Sequence, residues 1–253
     1  MKKLVALSCL LLLIQPIEVV GKDVKGNQTI ESFNKAKKLL ENKVIFDQRL
    51  TIYCQAPFDD KKMINLPKDF QAPNHQSRSS RVEWEHIVPA ENFGRFFSEW
   101  REGAQDCVDN RGRAFKGRKC AEKVNVNFRL MQSDMYNLYP SIGSVNAVRG
   151  NKNFTKLPES APNSFGSCAM KLEGNKVEPP TASRGAIARA YKYMASAYPK
   201  FFRLSSQQEK LMNVWDRAYP PEKWECLRSK RIEGIQGNEN PYIKIPCQSK
   251  GLW

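Results

Sequence analysis

Six cysteines, Cys54, Cys107, Cys120, Cys168, Cys226 and Cys247, lie beyond an amino-terminal segment built like an export signal, and no two of them stand in C-x-x-C spacing. The signal reading rests on Lys2 and Lys3, the apolar run from Leu4 to Ile14, Pro16, and the small residues around Val20 and Gly21. An even cysteine set in an exported chain points to a disulfide framework, with the pairing left open by the count. Zinc bound by closely spaced thiolates is disfavoured, and with only His75 and His86 present a multi-histidine metal site is excluded. The apolar run is shorter than the roughly 20 residues a membrane helix needs. Ala6-Leu7-Ser8 before Cys9 is also a poor lipid-attachment context. Cleavage is therefore expected near Gly21, giving residues 1–21 as signal and residues 22–253 as one unanchored domain in the periplasm or outside the cell.

That domain is strongly basic, the whole chain carrying a formal charge of +15. Such an excess implies a polyanionic partner, either nucleic acid or an anionic membrane or wall surface, and does not choose between them. Solubility alone is the blander account.

Hydrophobic spacing predicts an amphipathic helix over Thr29 to Ile45, a short strand over Leu50 to Cys54, and a loop from Pro57 to Ser80. Arg81 to Val88 alternates, with Val82, Trp84, His86 and Val88 on one side, and predicts a strand stopped by Pro89. Ala90 to Glu102 predicts a helix bent at Gly94, and Gly103 to Cys120 a loop. Ser133 is placed to cap a short helix beginning at Asp134, with Asn137 on its first turn and Pro140 ending it. Gly185 to Tyr198 predicts a helix, and Ser206 to Glu209 a capping box before another that stops at Pro220 and Pro221. Without repeats or long linkers, these elements make one α+β domain with a mainly helical periphery.

Chemistry concentrates at Glu83-Trp84-Glu85-His86, two carboxylates and a histidine beside a strand end. Phosphodiester hydrolysis needs a base to deprotonate water and a cation to neutralise charge growing on the phosphate. Neutral imidazole suits the first task and a hard cation on oxygen ligands the second. Adjacent strand residues face opposite ways, so Glu85 and His86 can serve one site only where the strand twists or ends. From these residues alone, a satisfied core histidine beside a surface carboxylate is an equally good reading. Gly112 to Lys119 mimics a phosphate-binding loop only in outline, since Gly117 is followed by Arg118-Lys119. No G-x-S-x-G elbow is present. Tyr191, Tyr193 and Trp215 fall at helical spacing and are expected in the core.

Read together, four ordered blocks are more specific. Arg81-Val82-Glu83-Trp84-Glu85-His86-Ile87-Val88-Pro89-Ala90 and Ser133-Asp134-Met135-Tyr136-Asn137-Leu138-Tyr139-Pro140 resemble the bacterial endonuclease I family, exported nucleases of the ββα-metal (His-Me finger) class. So do the stretch from Cys168 to Arg189 and the one from Trp224 to Tyr242. By that resemblance His86 matches the general base, and Glu85 and Asn137 match the protein ligands of one divalent cation, Mg²⁺ before Mn²⁺ or Ca²⁺. Arg118, shortly before Cys120, fits best the family's phosphate-clamping arginine. A longer loop around residues 108–116 precedes it, and a solvated basic residue is the other reading there.

The family's further cysteine pair is absent, with Ala56 at one of its places and none in Pro57 to Ser80. Its surviving pairs would be Cys54 with Cys168, Cys107 with Cys120 and Cys226 with Cys247. Ala147-Val148 stands where the family tends to have Gly-Asp, so no catalytic role is assigned there. The activity implied is a sequence-nonspecific endonuclease acting on single- and double-stranded DNA, with RNA a second candidate polymer, leaving 5′ phosphates. The chain is expected to act as a monomer. The rival from another class is a secreted cationic DNA-binding protein without catalysis.

Overall fold

In a computed structural model that describes residues 25–253, the strand predicted from Arg81 to Val88 finds its partner about fifty residues on. The expected signal at residues 1–21, with Cys9, lies outside the described residues. Strand β1 (Val82–His86) pairs antiparallel with β2 (Leu138–Ile142), Val82 opposite Ile142 and His86 opposite Leu138. The ladder continues past both ends, Ile87 N donating to Asn137 O and Gly143 N to Arg81 O, each at 3.0 Å. Hydrogen-bonded pairs therefore fall at odd-numbered positions of β1. Pro140, opposite Trp84, occupies a non-hydrogen-bonded position where its missing N–H costs the ladder nothing. Pro140 thus sits inside a strand and does not end a helix as expected; its carbonyl accepts from Ile52 N at 2.8 Å.

Between the paired strands run α2 (Ala90–Gly94), α3 (Ser98–Arg101), α4 (Arg118–Val124) and α5 (Val126–Gln132). The single bent helix expected over Ala90 to Glu102 is two pieces. A Cβ on Gly94 would overlap the Trp100 ring, so glycine is needed where the chain turns between them. Directly after β2 comes α6 (Gly143–Arg149), which packs on both strands. A small sheet follows, with β5 (Lys176–Glu178) between parallel β3 (Asn153–Phe154) and antiparallel β4 (Lys171–Glu173).

The periphery is helical. On the amino-terminal side, α1 (Phe33–Leu39) is capped by Ser32 and runs on as a π turn, Leu40–Val44, shorter than the predicted Thr29 to Ile45. On the other side, α7 (Thr181–Ala197) begins earlier than predicted, and α8 (Ser206–Ala218) has its capping box one residue upstream, between Ser205 and Gln208. Two further helices, α9 (Lys223–Gln236) and α10 (Pro241–Ser249), complete the chain. Tyr191, Tyr193 and Trp215 are core residues, as their spacing implied. These elements share one main apolar core, in an α+β arrangement.

Leu50 to Cys54 is not a strand. Thr51 N donates to Ala56 O, Ala56 N to Thr51 Oγ1 and Gln55 N to Thr51 O, closing a tight reversal with Gln55 at φ +51°. That reversal carries Cys54, which is bonded to Cys168 across 114 residues. Cys107 joins Cys120 and Cys226 joins Cys247, the same pairing that the resemblance implies.

Candidate active site at the end of β1

Alternation along β1 sends Glu83 and Glu85 to one face and Trp84 and His86 to the other. The two carboxylates then part company. Glu83 is clasped at the partly exposed edge by Arg78 and by Asn146 Nδ2 at 2.9 Å. Glu85 is buried, only 3% exposed. Its Oε1 accepts from Tyr53 Oη at 2.6 Å and from Arg149 Nη1 at 2.9 Å, and Oε2 takes neither bond.

His86 ends β1, 7% exposed, its ring 5.0 Å from that of Phe33 on α1. Its Nε2 lies 2.8 Å from the backbone carbonyl of Gln132. A carbonyl oxygen can only accept, so Nε2 carries the proton and Nδ1 keeps its lone pair. Burial first, and the Arg118 charge second, push the imidazole down from 6.5 to about 3, which keeps it neutral.

Asn137 is brought to the same strand end by the ladder. It is the last residue of a 3-10 turn, Met135–Asn137, capped by Asp134, whose Oδ1 accepts from Tyr136 N at 3.0 Å. The expected cap, Ser133, instead spends its hydroxyl on the carbonyl of Glu31 at 2.9 Å. The Asn137 amide grips the backbone just beyond β1. Oδ1 accepts from Val88 N at 2.7 Å, and Nδ2 donates to Val88 O at 3.0 Å. One lone pair of Oδ1 is left over.

Arg118 is the first residue of α4, directly after Gly117, whose φ of +79° suits glycine where the loop turns into the helix. The Cys107–Cys120 bond closes the loop that presents it. Its guanidinium donates from Nε and Nη2 to Gln132 Oε1, both at 3.3 Å, and lies 5.2 Å from the Phe33 ring centre. His86 and Arg118 therefore hold opposite ends of one residue, Gln132, and face one aromatic ring.

Among the described residues no hydrogen bond joins the side chains of Glu85, His86 and Asn137 directly. What ties them is backbone register and Arg149, whose Nη1 also donates to His86 O at 2.8 Å and whose Nη2 donates to Ile87 O at 2.7 Å. Local sequence gave no role to Arg149, Tyr53 or Gln132. Arg149 in the last turn of α6 looks like an ordinary helix-end cation, and nothing in the pattern says it is fully buried.

Among the described residues no three His, Cys, Asp or Glu side chains cluster as metal ligands. A cation here would rest on one carboxylate and one amide oxygen, completed by water and phosphate. Those are hard oxygen donors, and each has coordinating capacity that its protein hydrogen bonds leave unused, so they fit a small divalent ion.

The family model described as Endonuclease I matches residues 32–247. An extracellular deoxyribonuclease of Aeromonas hydrophila is 40% identical over 229 residues, which cover 87% of this chain and 90% of that protein. A periplasmic deoxyribonuclease of the same organism is 41% identical over 203 residues, 77% of either chain. Endonuclease-1 of Buchnera aphidicola subsp. Baizongia pistaciae is 35% identical over 226 residues, 86% of this chain and 85% of its own.

Proposed function

This chain belongs to the endonuclease I family, and from that premise we propose that it cuts DNA without sequence preference, using His86 as base and Arg118 as phosphate clamp. The protein is a nuclease of the periplasm or extracellular space, like relatives named for those places. Among the described residues no helix is long and apolar enough to cross a membrane. Residues 1–21 are its export signal in this reading, β1, β2 and α6 its ββα-metal core, and a monomer its working form. The observation that carries the proposal is the β1–β2 register, which brings Asn137 to the strand end where His86 and Glu85 stand.

His86 Nδ1 takes a proton from water as the water attacks phosphorus in line with the departing 3′ oxygen, leaving a 5′ phosphate. Gln132 fixes the tautomer and the ring's orientation. Arg118 offers a planar pair of donors to the phosphate. The approaching anion also offsets one of the charges that disfavour the imidazolium, so the base gains proton affinity as substrate binds. Glu85 and Asn137 would hold a divalent cation, Mg²⁺ by the preference of oxygen donors, and it would supply positive charge to the phosphate and the leaving oxygen.

Chelation with EDTA is expected to stop nicking of supercoiled plasmid, and excess Mg²⁺ to restore it. Retardation of DNA without any nicking under Mg²⁺ would instead leave a binding protein. Parallel assays on RNA report whether that polymer is also cut.

The acid limb of kcat/KM is expected below the ordinary imidazole range. Only neutral His86 can accept a proton, and its lowered value keeps it neutral as pH falls through about 6.5. Initial rates on a short duplex across mildly acidic to neutral buffers measure this. A limb centred near the free-imidazole value contradicts it.

A further inference from the structure

Along the first residues of β1 lies a cleft of about 500 Å³, walled by Phe33, Lys37 and Lys38 of α1, by Lys62, and by Trp84 and Asn146. The carboxylates facing it are already engaged. Glu41 is held by Lys62 at 2.8 Å and by Trp84 Nε1 at 3.1 Å, and Glu83 by Arg78 and Asn146. Lys37 forms no ion pair among the described residues. Its ammonium sits 4.5 Å from the centre of the Phe33 ring, the ring that also meets His86 and Arg118. Burial, and next the Lys62 charge, push it down from its ordinary value, with the Glu41 charge opposing them.

We propose that Lys37 binds the substrate backbone, taking a phosphate beside the one cut at His86, with Phe33 as the apolar wall between the two positions. The inference rests on the nuclease reading above and assigns the path by which one strand leaves the reacting phosphate. A strand whose scissile phosphate lies against Arg118 and His86 has α1 at its flank, because all three cationic and imidazole groups converge on one α1 side chain. A phosphate there would pair with an ammonium that no carboxylate contacts directly among the described residues, and a sequence-independent contact of this kind is what a nonspecific nuclease requires.

The test is anisotropy of a labelled duplex in EDTA, where binding is read without cutting. Lys37→Ala is expected to raise Kd by about five- to tenfold at ~0.1 M salt and to make the slope of log affinity against log salt shallower by about 0.9, the loss of one phosphate contact. Lys37→Arg should keep both near the parent values. Lys210→Ala, on α8, removes the same charge elsewhere and should change the slope little. In the plasmid assay with Mg²⁺ the Lys37→Ala effect should fall on KM, with kcat nearly unchanged. An Ala variant with the parent's Kd and slope overturns the proposal, as does a loss confined to kcat or one matched by Lys210→Ala. If the parent protein binds but never nicks, it is the nuclease reading that fails, and the slope still decides the role of Lys37 in binding.

Discussion

Replacing His86 by alanine is expected to lower kcat for plasmid cleavage by about 10²–10⁴-fold, the usual contribution of a positioned general base, while DNA retardation in EDTA persists. The binding survives because the backbone contacts assigned to Arg118 and Lys37 belong to other elements, α4 and α1. The substitution also leaves the Gln132 carbonyl without its donor, a loss on the order of 1–3 kcal/mol if water does not replace it. Thermal unfolding of the oxidised variant separates that cost from the chemical one. So does added imidazole. Free imidazole should restore part of the rate if the missing function is proton transfer. An alanine variant that cuts at the parent rate would remove the base assignment, whatever the fate of the rest.

The parts of this site that local sequence exposed are those whose signals are local. Alternation from Arg81 to Val88 marked β1, and a chain with only two histidines drew attention to His86. The partner strand was hidden by Pro140, which counts as a breaker until register shows that it lies at a non-hydrogen-bonded position. Asn137 and Arg118 carried no distinguishing pattern and were singled out only by resemblance. For Asn137 the structure explains the silence. Its amide is recruited by the backbone of Val88, a partner 49 positions away. Thr51 likewise read as strand because its neighbours are β-prone, yet its hydroxyl closes a turn onto Ala56. Tyr53, Gln132 and Arg149 meet β1 across separations of 32, 46 and 64 residues, and pairings at such range leave no periodicity to read.

Arg149→Met should be the most destabilising of the single changes considered, by about 3–5 kcal/mol, because it strands a buried carboxylate. The pair it breaks is closed to solvent, the Arg149 side chain 0% and the Glu85 side chain 4% exposed. Burial, the largest single influence on Arg149, works against its charge, but Glu85, Tyr53 and Tyr191 outweigh it and hold the guanidinium protonated. On Glu85 the balance runs the other way. Burial pushes the carboxyl up, and Arg149 and Tyr53 oppose it. Without the arginine the carboxyl of the folded variant rises further above its unfolded value. A group raised on folding contributes its stability at low pH and loses it as pH rises, so the variant's deficit relative to the parent should be small in mild acid and full near neutrality. Urea denaturation of both proteins at the two pH values measures this. Adding Glu85→Gln to the variant removes the stranded charge and should recover part of the loss, a coupling expected of groups in direct contact. A deficit below about 1 kcal/mol and the same at both pH values would mean that Arg149 packs against Phe154, 4.5 Å from that ring's centre, without carrying the carboxylate's charge.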